Sequence, residues 1–331
     1  MRQTARSLTV LILVGALTAC DLPGSAKQEP AIQTAIIETS IAQATSQAAT
    51  YAAALSTPTT IPLPATITPE PPVDPYTLSE EELATLIDAN CEEVIYNSAD
   101  VGEFAQEITS DGLITDDEIY YAINYVYEAE ASINYALALI AQYEEVYGEF
   151  ASQSIELLAA IEQDLNQLIT TMAQLEDLLI QGSAAASERI ERINEITNQL
   201  QASVEVRLTN KQTWKDTLQN DLNNREQRYA SLPATEIASD RDGALLLVYA
   251  YLDSVKAAFE DRRISMGEMD IIAQLAANAK ASLQAEGGPA LQILGNSVDS
   301  FTRQISRGQW PQVRNGIGNF EGSLPQRPTG P

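Results

Sequence analysis

Two residue series, each with a seven-residue step and offset by four, hold register from position 119 to position 179. The first reads Ile119, Val126, Ile133, Ile140, Tyr147, Ser154, Ile161, Leu168 and Leu175. The second reads Ile123, Glu130, Leu137, Glu144, Ala151, Leu158, Leu165, Met172 and Leu179. This is the seam that a helix turns toward a partner helix, because a 3.5-residue repeat keeps one stripe facing inward. The pattern predicts one helix over about 116–181, roughly 100 Å long at 1.5 Å per residue. Gly148 and the polar seam residues Glu130, Glu144 and Ser154 are its weak points, where the helix can bend. The seam is cleanest from Leu158 to Leu179.

Gly182 stops this pattern as a C-cap glycine. A second helix over about 187–230 carries Ile190, Ile193, Leu200, Val204, Leu208, Trp214, Leu218, Leu222 and Tyr229, and Pro233 follows it. Two long apolar-striped helices with a short link predict an antiparallel hairpin. Three capping boxes mark other helix starts: Ser79 with Glu82, Thr115 with Glu118, and Ser265 with Glu268. Ile114 and Ile119 form a hydrophobic staple around the second box, and Ile264 and Met269 around the third. Helices are expected near 80–97, 243–260, 265–285, 289–306 and 310–321. No stretch alternates as a strand does. The expected fold is all-α: a long antiparallel, coiled-coil-like hairpin and a smaller helical bundle, within residues 78–324. Residues 325–331 read as a disordered tail.

The N-terminus has a different character. Arg2 and Arg6 precede an apolar run from Leu8 to Ala19 that ends in small residues, which is the layout of a secretory signal. Twelve residues make a helix of roughly 18 Å, too short for a hydrocarbon core of about 30 Å. Leu17-Thr18-Ala19-Cys20 resembles the lipobox of bacterial lipoproteins. The resemblance covers residues 1–20. It implies cleavage after Ala19, acyl chains such as palmitate on Cys20, and anchoring at the extracytoplasmic face of the cell membrane. Residues 20–77 are then a linker, rich in Ala, Thr, Gln and Ser up to position 56. Seven prolines between 57 and 75 favour polyproline II, a spacer of roughly 50–60 Å, or else a tether of no set height.

Composition narrows the chemistry. There are 19 Lys and Arg against 46 Asp and Glu, a formal charge of −27, and cleavage after Ala19 removes two arginines but no acid. Nucleic acid and anionic head groups are repelled. Cationic segments, metal ions and neutral surfaces remain as partners. The chain contains no histidine. Ser-His-Asp and Cys-His mechanisms are therefore excluded, as are imidazole metal sites. Cys91 is the only cysteine besides Cys20. On a helix among carboxylates it reads as a buried structural thiol.

Glu107 to Glu118 resembles a twelve-residue EF-hand loop, with Asp111 at position 5, Gly112 at 6, Ile114 at 8 and Glu118 at 12. Glu107 at position 1 and Thr109 at position 3 depart from that pattern. Asp111 and Glu118 are thus candidate calcium ligands, while the Thr115 capping box explains the same residues without a metal. Asp261 to Glu268 repeats the frame Asp-x-x-Ile-(Thr/Ser)-x-x-Glu. The repeat fits either a helix-start device used twice or a duplicated helix pair. Seven tyrosines between 120 and 147 either pack on neighbouring helices or form an exposed aromatic surface for glycan or protein. The expectation is a non-catalytic, membrane-tethered interaction or spacer protein that contacts protein or cell-wall material. The alternative is a calcium- or ligand-binding module using the 107–118 loop.

Overall fold

All three capping boxes form. In each, the Ser or Thr hydroxyl accepts from the N3 backbone N–H while the N3 glutamate accepts from the cap N–H. Two orphan donors are satisfied at once, which fixes where each helix starts. The computed structural model describes residues 73–181 and 187–329. The signal segment, Cys20 and the linker up to residue 72 lie outside the described residues. Among the described residues the chain is all-α, without a strand. After a 3-10 turn at Pro75–Thr77 come α1 (Glu80–Thr109), α2 (Asp116–Tyr147), α3 (Ser152–Ile180), α4 (Ser187–Ala230), α5 (Arg241–Ala258), α6 (Met266–Glu286), α7 (Pro289–Ser306) and α8 (Trp310–Ser323).

The seam of 119–179 is not one helix. It breaks after Tyr147, whose carbonyl accepts from both Phe150 and Ala151, and α3 folds back along α2. Tyr127 therefore reaches Glu176 at 2.7 Å and Tyr143 reaches Ser154 at 3.5 Å. The seam positions stay buried on both sides of the break, from Ile119 through Tyr147 and Ala151 to Leu179, apart from Leu137 and the two glutamates. Glu130 and Glu144 are half-buried. Burial pushes both carboxyls above their ordinary value, with Glu176 adding to the effect on Glu130 and Glu162 on Glu144. The first helix is also longer than the 80–97 expected, running on to Thr109.

Helices α1 to α4 close a ring of antiparallel neighbours. Thr109, Glu92, Asp88 and Glu80 of α1 meet Asn194, Lys211, Lys215 and Arg225 of α4 in reverse order. Asn97 and Glu80 likewise meet Ser132 and Tyr143 of α2. On the fourth side Arg207 of α4 pairs with Asp164 of α3 at 2.7 Å. The interior is filled by Leu158, Leu165, Leu168, Met172, Leu175, Ile193, Leu200 and Trp214, all buried. At 44 residues, roughly 66 Å, α4 outruns its partners. Its far end packs on α6 and α7 and so joins the second bundle, α5 to α8.

The repeated frame extends well beyond its loop. Asp111 Oδ1 accepts from Leu113 N at 2.9 Å, and Asp261 Oδ1 accepts from Arg263 N at 3.0 Å. Gly112 and Arg262 occupy the same left-handed conformation, φ 78° and 66°. On α1, positions 94, 95, 98, 101, 102, 105 and 108 are buried; on α5 the buried positions include 244, 245, 248, 251, 252, 255 and 258. The first turns of α2 and α6 correspond in the same way. One helix-loop-helix unit thus opens both bundles. Past Ser323 the chain is held against α5 as far as Arg327. Tyr249 donates to the Pro325 carbonyl at 2.6 Å, and Arg327 pairs with Asp253 at 2.7 Å.

Candidate interaction face

The waist between the two bundles holds the most buried charges. Glu80 is fully buried at the start of α1, and Arg225 Nη2 donates to both its oxygens at 2.8 and 2.7 Å. Tyr143 donates to the same carboxylate at 2.9 Å. The guanidinium also lies 4.2 Å from the Phe150 ring centre and donates to the Phe150 carbonyl. Burial pushes the Glu80 carboxyl above its ordinary value, against the pull of Arg225 and Tyr143. Asp221 of α4 accepts from Ser154 N at 3.1 Å, so α3 is capped from another helix. Gly308, at φ +68°, lies so close that a Cβ there would fall 2.5 Å from that of Glu80. The linker enters at this point. Arg314 donates to the Tyr76 carbonyl, Arg262 sits over the Tyr76 ring, and Tyr147 donates to the Leu78 carbonyl at 2.8 Å. These groups hold helices and linker together, and neither oxygen of Glu80 is open to a substrate.

In the loop from 107 to 118 the two candidate ligands, Asp111 and Glu118, are turned onto backbone. Asp111 closes the turn onto Leu113, and Glu118 Oε2 accepts from Thr115 N and Oγ1 at 2.7 and 2.8 Å. Among the described residues no group of three or more Asp, Glu, Cys or His is placed to hold a metal ion. Cys91 is buried, and desolvation pushes its thiol up to about 12. A cavity of about 200 Å³ opens where the end of α4 meets α6 and α7. Its charges are already matched, with Lys280 at 2.6 Å and Arg303 at 2.9 Å from Asp299.

The tyrosines of 120–147 divide into three groups, of which one, Tyr127 and Tyr135, is half-buried against the core. Tyr143 and Tyr147 belong to the core, against Trp214 and Trp310 respectively. Tyr120, Tyr121 and Tyr125 are exposed, as is Tyr96 on α1. Tyr121, Tyr125 and Glu128 form one stripe of α2 at helical spacing. Phe104 of α1 lies 5.1 Å from the Tyr125 ring, and with the Asn97–Ser132 contact this sets the register. Glu107 then falls within one residue of the level of Tyr121, and Asp100 within one of Glu128. Rings and carboxylates alternate along the outer seam of the α1–α2 pair.

The charge around this face is one-sided for a reason visible in the primary structure. No lysine or arginine occurs between Lys27 and Arg189, so α1, α2 and α3 carry none. Every cation of the four-helix ring comes from α4. These reach inward and sideways to Glu80, Asp88, Glu92 and Asp164. Since α4 packs on α1 and α3, the outer α1–α2 seam is the side its cations do not reach. Comparison of the chain with known protein families, with curated proteins and with solved structures finds no match to any of them.

Proposed function

We propose that this chain is a non-catalytic lipoprotein, tethered through Cys20 to the extracytoplasmic face of the cell membrane, that binds or spaces other proteins or cell-wall material. The observation that carries the reading is the aromatic and acidic face of the α1–α2 pair. Large rings left in water are a feature of contact surfaces rather than of a well-packed helix pair. The lipobox-like Leu17 to Cys20 supplies the anchoring half of the reading. Metabolic labelling with a palmitate analogue tests it. Label should enter the wild-type chain and be absent from Cys20→Ser, which should be left uncleaved or be released. Undiminished labelling of that variant refutes the anchor. For the binding half, a photo-crosslinking residue replaces Tyr121 in intact cells. Adducts formed there but not from the same residue at Ile293, exposed on the other bundle, support the face; their absence counts against it.

A further inference from the structure

We infer that the outer face of the α1–α2 pair docks an arginine-rich segment of a partner protein. This rests on the reading of the chain as an interaction module and adds the chemistry of its partner. Tyr96, Tyr121 and Tyr125 are 54%, 58% and 39% exposed. Asp100, Glu107 and Glu128 run between them, and none of the three takes part in an ion pair among the described residues. A face of rings and unneutralised carboxylates, on helices without a single cation, is complementary to a group that is both planar and positive. The guanidinium is that group: it stacks on a ring while its edge donates to a carboxylate. Lysine supplies the charge without the plane.

The geometry suits a short segment. From Tyr96 to Glu107 the stripe covers about 16 Å, as much as five extended residues or three helical turns. It also lies toward the end of α2 opposite the linker entry; Tyr121 and Tyr147 are about 39 Å apart along the helix. A partner seated there clears the tether. A second copy of this chain would bring the same sign of charge and be repelled. A neutral glycan would use the rings but leave the carboxylates without a counter-charge.

The test uses the full acylated chain in detergent at physiological salt, with fluorescent octa-arginine and octa-lysine peptides read by anisotropy. Octa-arginine should bind several-fold more tightly than octa-lysine. Tyr121→Ala combined with Tyr125→Ala should weaken it about tenfold, the scale of losing ring contacts to a cation. Asp100→Asn combined with Glu107→Gln should do likewise. Glu156→Gln combined with Asp177→Asn removes as much charge from exposed positions of α3 and should change binding by less than about twofold. Circular dichroism checks each fold. Should the double tyrosine variant not fold, Tyr121→Lys at its exposed position provides the same test by repulsion. Equal affinity for the two peptides, equal loss from the α3 control, or no binding of octa-arginine overturns the inference. Binding of an N-acetylglucosamine oligomer, lost with the tyrosines but not with the acids, would replace the partner by a glycan and leave the interaction reading standing. Failure of the Cys20 labelling experiment would instead remove the tether without touching this face.

Discussion

Replacing Arg225 by methionine keeps much of the side chain's length and removes its charge. In the folded chain this leaves the Glu80 carboxylate, fully buried, with Tyr143 as its one remaining side-chain donor. Breaking a buried pair from one side destabilises by about 3–5 kcal/mol, because the other charge loses its compensation. Arg225 also covers the Phe150 ring at 4.2 Å, which methionine replaces only in part. The loss should depend on pH. Burial already holds the Glu80 carboxyl above its ordinary value, and removing Arg225 takes away the largest opposing influence. A carboxyl raised in the folded state binds its proton more tightly there than in the unfolded chain. Stability from this group is therefore present below the unfolded value and falls as pH rises through the folded one. The slope is at most about 1.4 kcal/mol per pH unit for one proton. Urea denaturation of the non-acylated Cys20→Ser chain should show Arg225→Met least destabilised near pH 5 and most above neutrality. Wild type should follow the same sign with a shallower slope. Adding Glu80→Gln, which keeps an acceptor for Tyr143, should recover about 2 kcal/mol or more and flatten the pH dependence. A deficit below about 1 kcal/mol at neutral pH, without pH dependence, would mean that the pair is not desolvated and would refute the reasoning.

Three further outcomes follow from the packing. Leu168 is fully buried in the four-helix ring, so Leu168→Ala should lower the unfolding free energy by about 2–4 kcal/mol; a loss under about 1 kcal/mol would place it at an exposed seam. Gly308→Ala and Gly112→Ala both force a left-handed residue to carry a Cβ, at about 1–2 kcal/mol. Only Gly308 also meets the Glu80 side chain, so its variant should melt at the lower temperature, whereas equal midpoints would contradict the close approach. Cys91, buried and with its thiol raised to about 12, should resist a thiol reagent at pH 8 in the native chain and react promptly in denaturant. Fast native labelling would count against its burial.

Local signals in the primary structure were enough for the helical class and for three helix starts. Capping boxes act through residues three apart, and a heptad seam acts within one helix, so neither needs the rest of the molecule. The long cation-free stretch between Lys27 and Arg189, which makes the α1–α2 face one-sided, was legible in the same way. It shows only when basic residues are followed by position rather than counted. Two features were not legible. The first is the fold-back at Tyr147, where Gly148 marked a weak point but not a reversal of direction. Its seam keeps the same phase on both sides, so the periodicity cannot distinguish one long helix from two packed ones. The break is held by Asp221, which caps α3 from 67 residues away, and by Arg225 on the Phe150 carbonyl. The second is the Glu80–Arg225 pair. Within Glu80-Glu81-Glu82 the first glutamate looks like any acid in a helix's opening turn. It becomes a buried charge only because α4, 145 residues on, runs antiparallel to α1 and carries its arginine to the same level. The tertiary structure decided which of many acids is desolvated, because desolvation depends on what packs around a group and not on its neighbours in sequence.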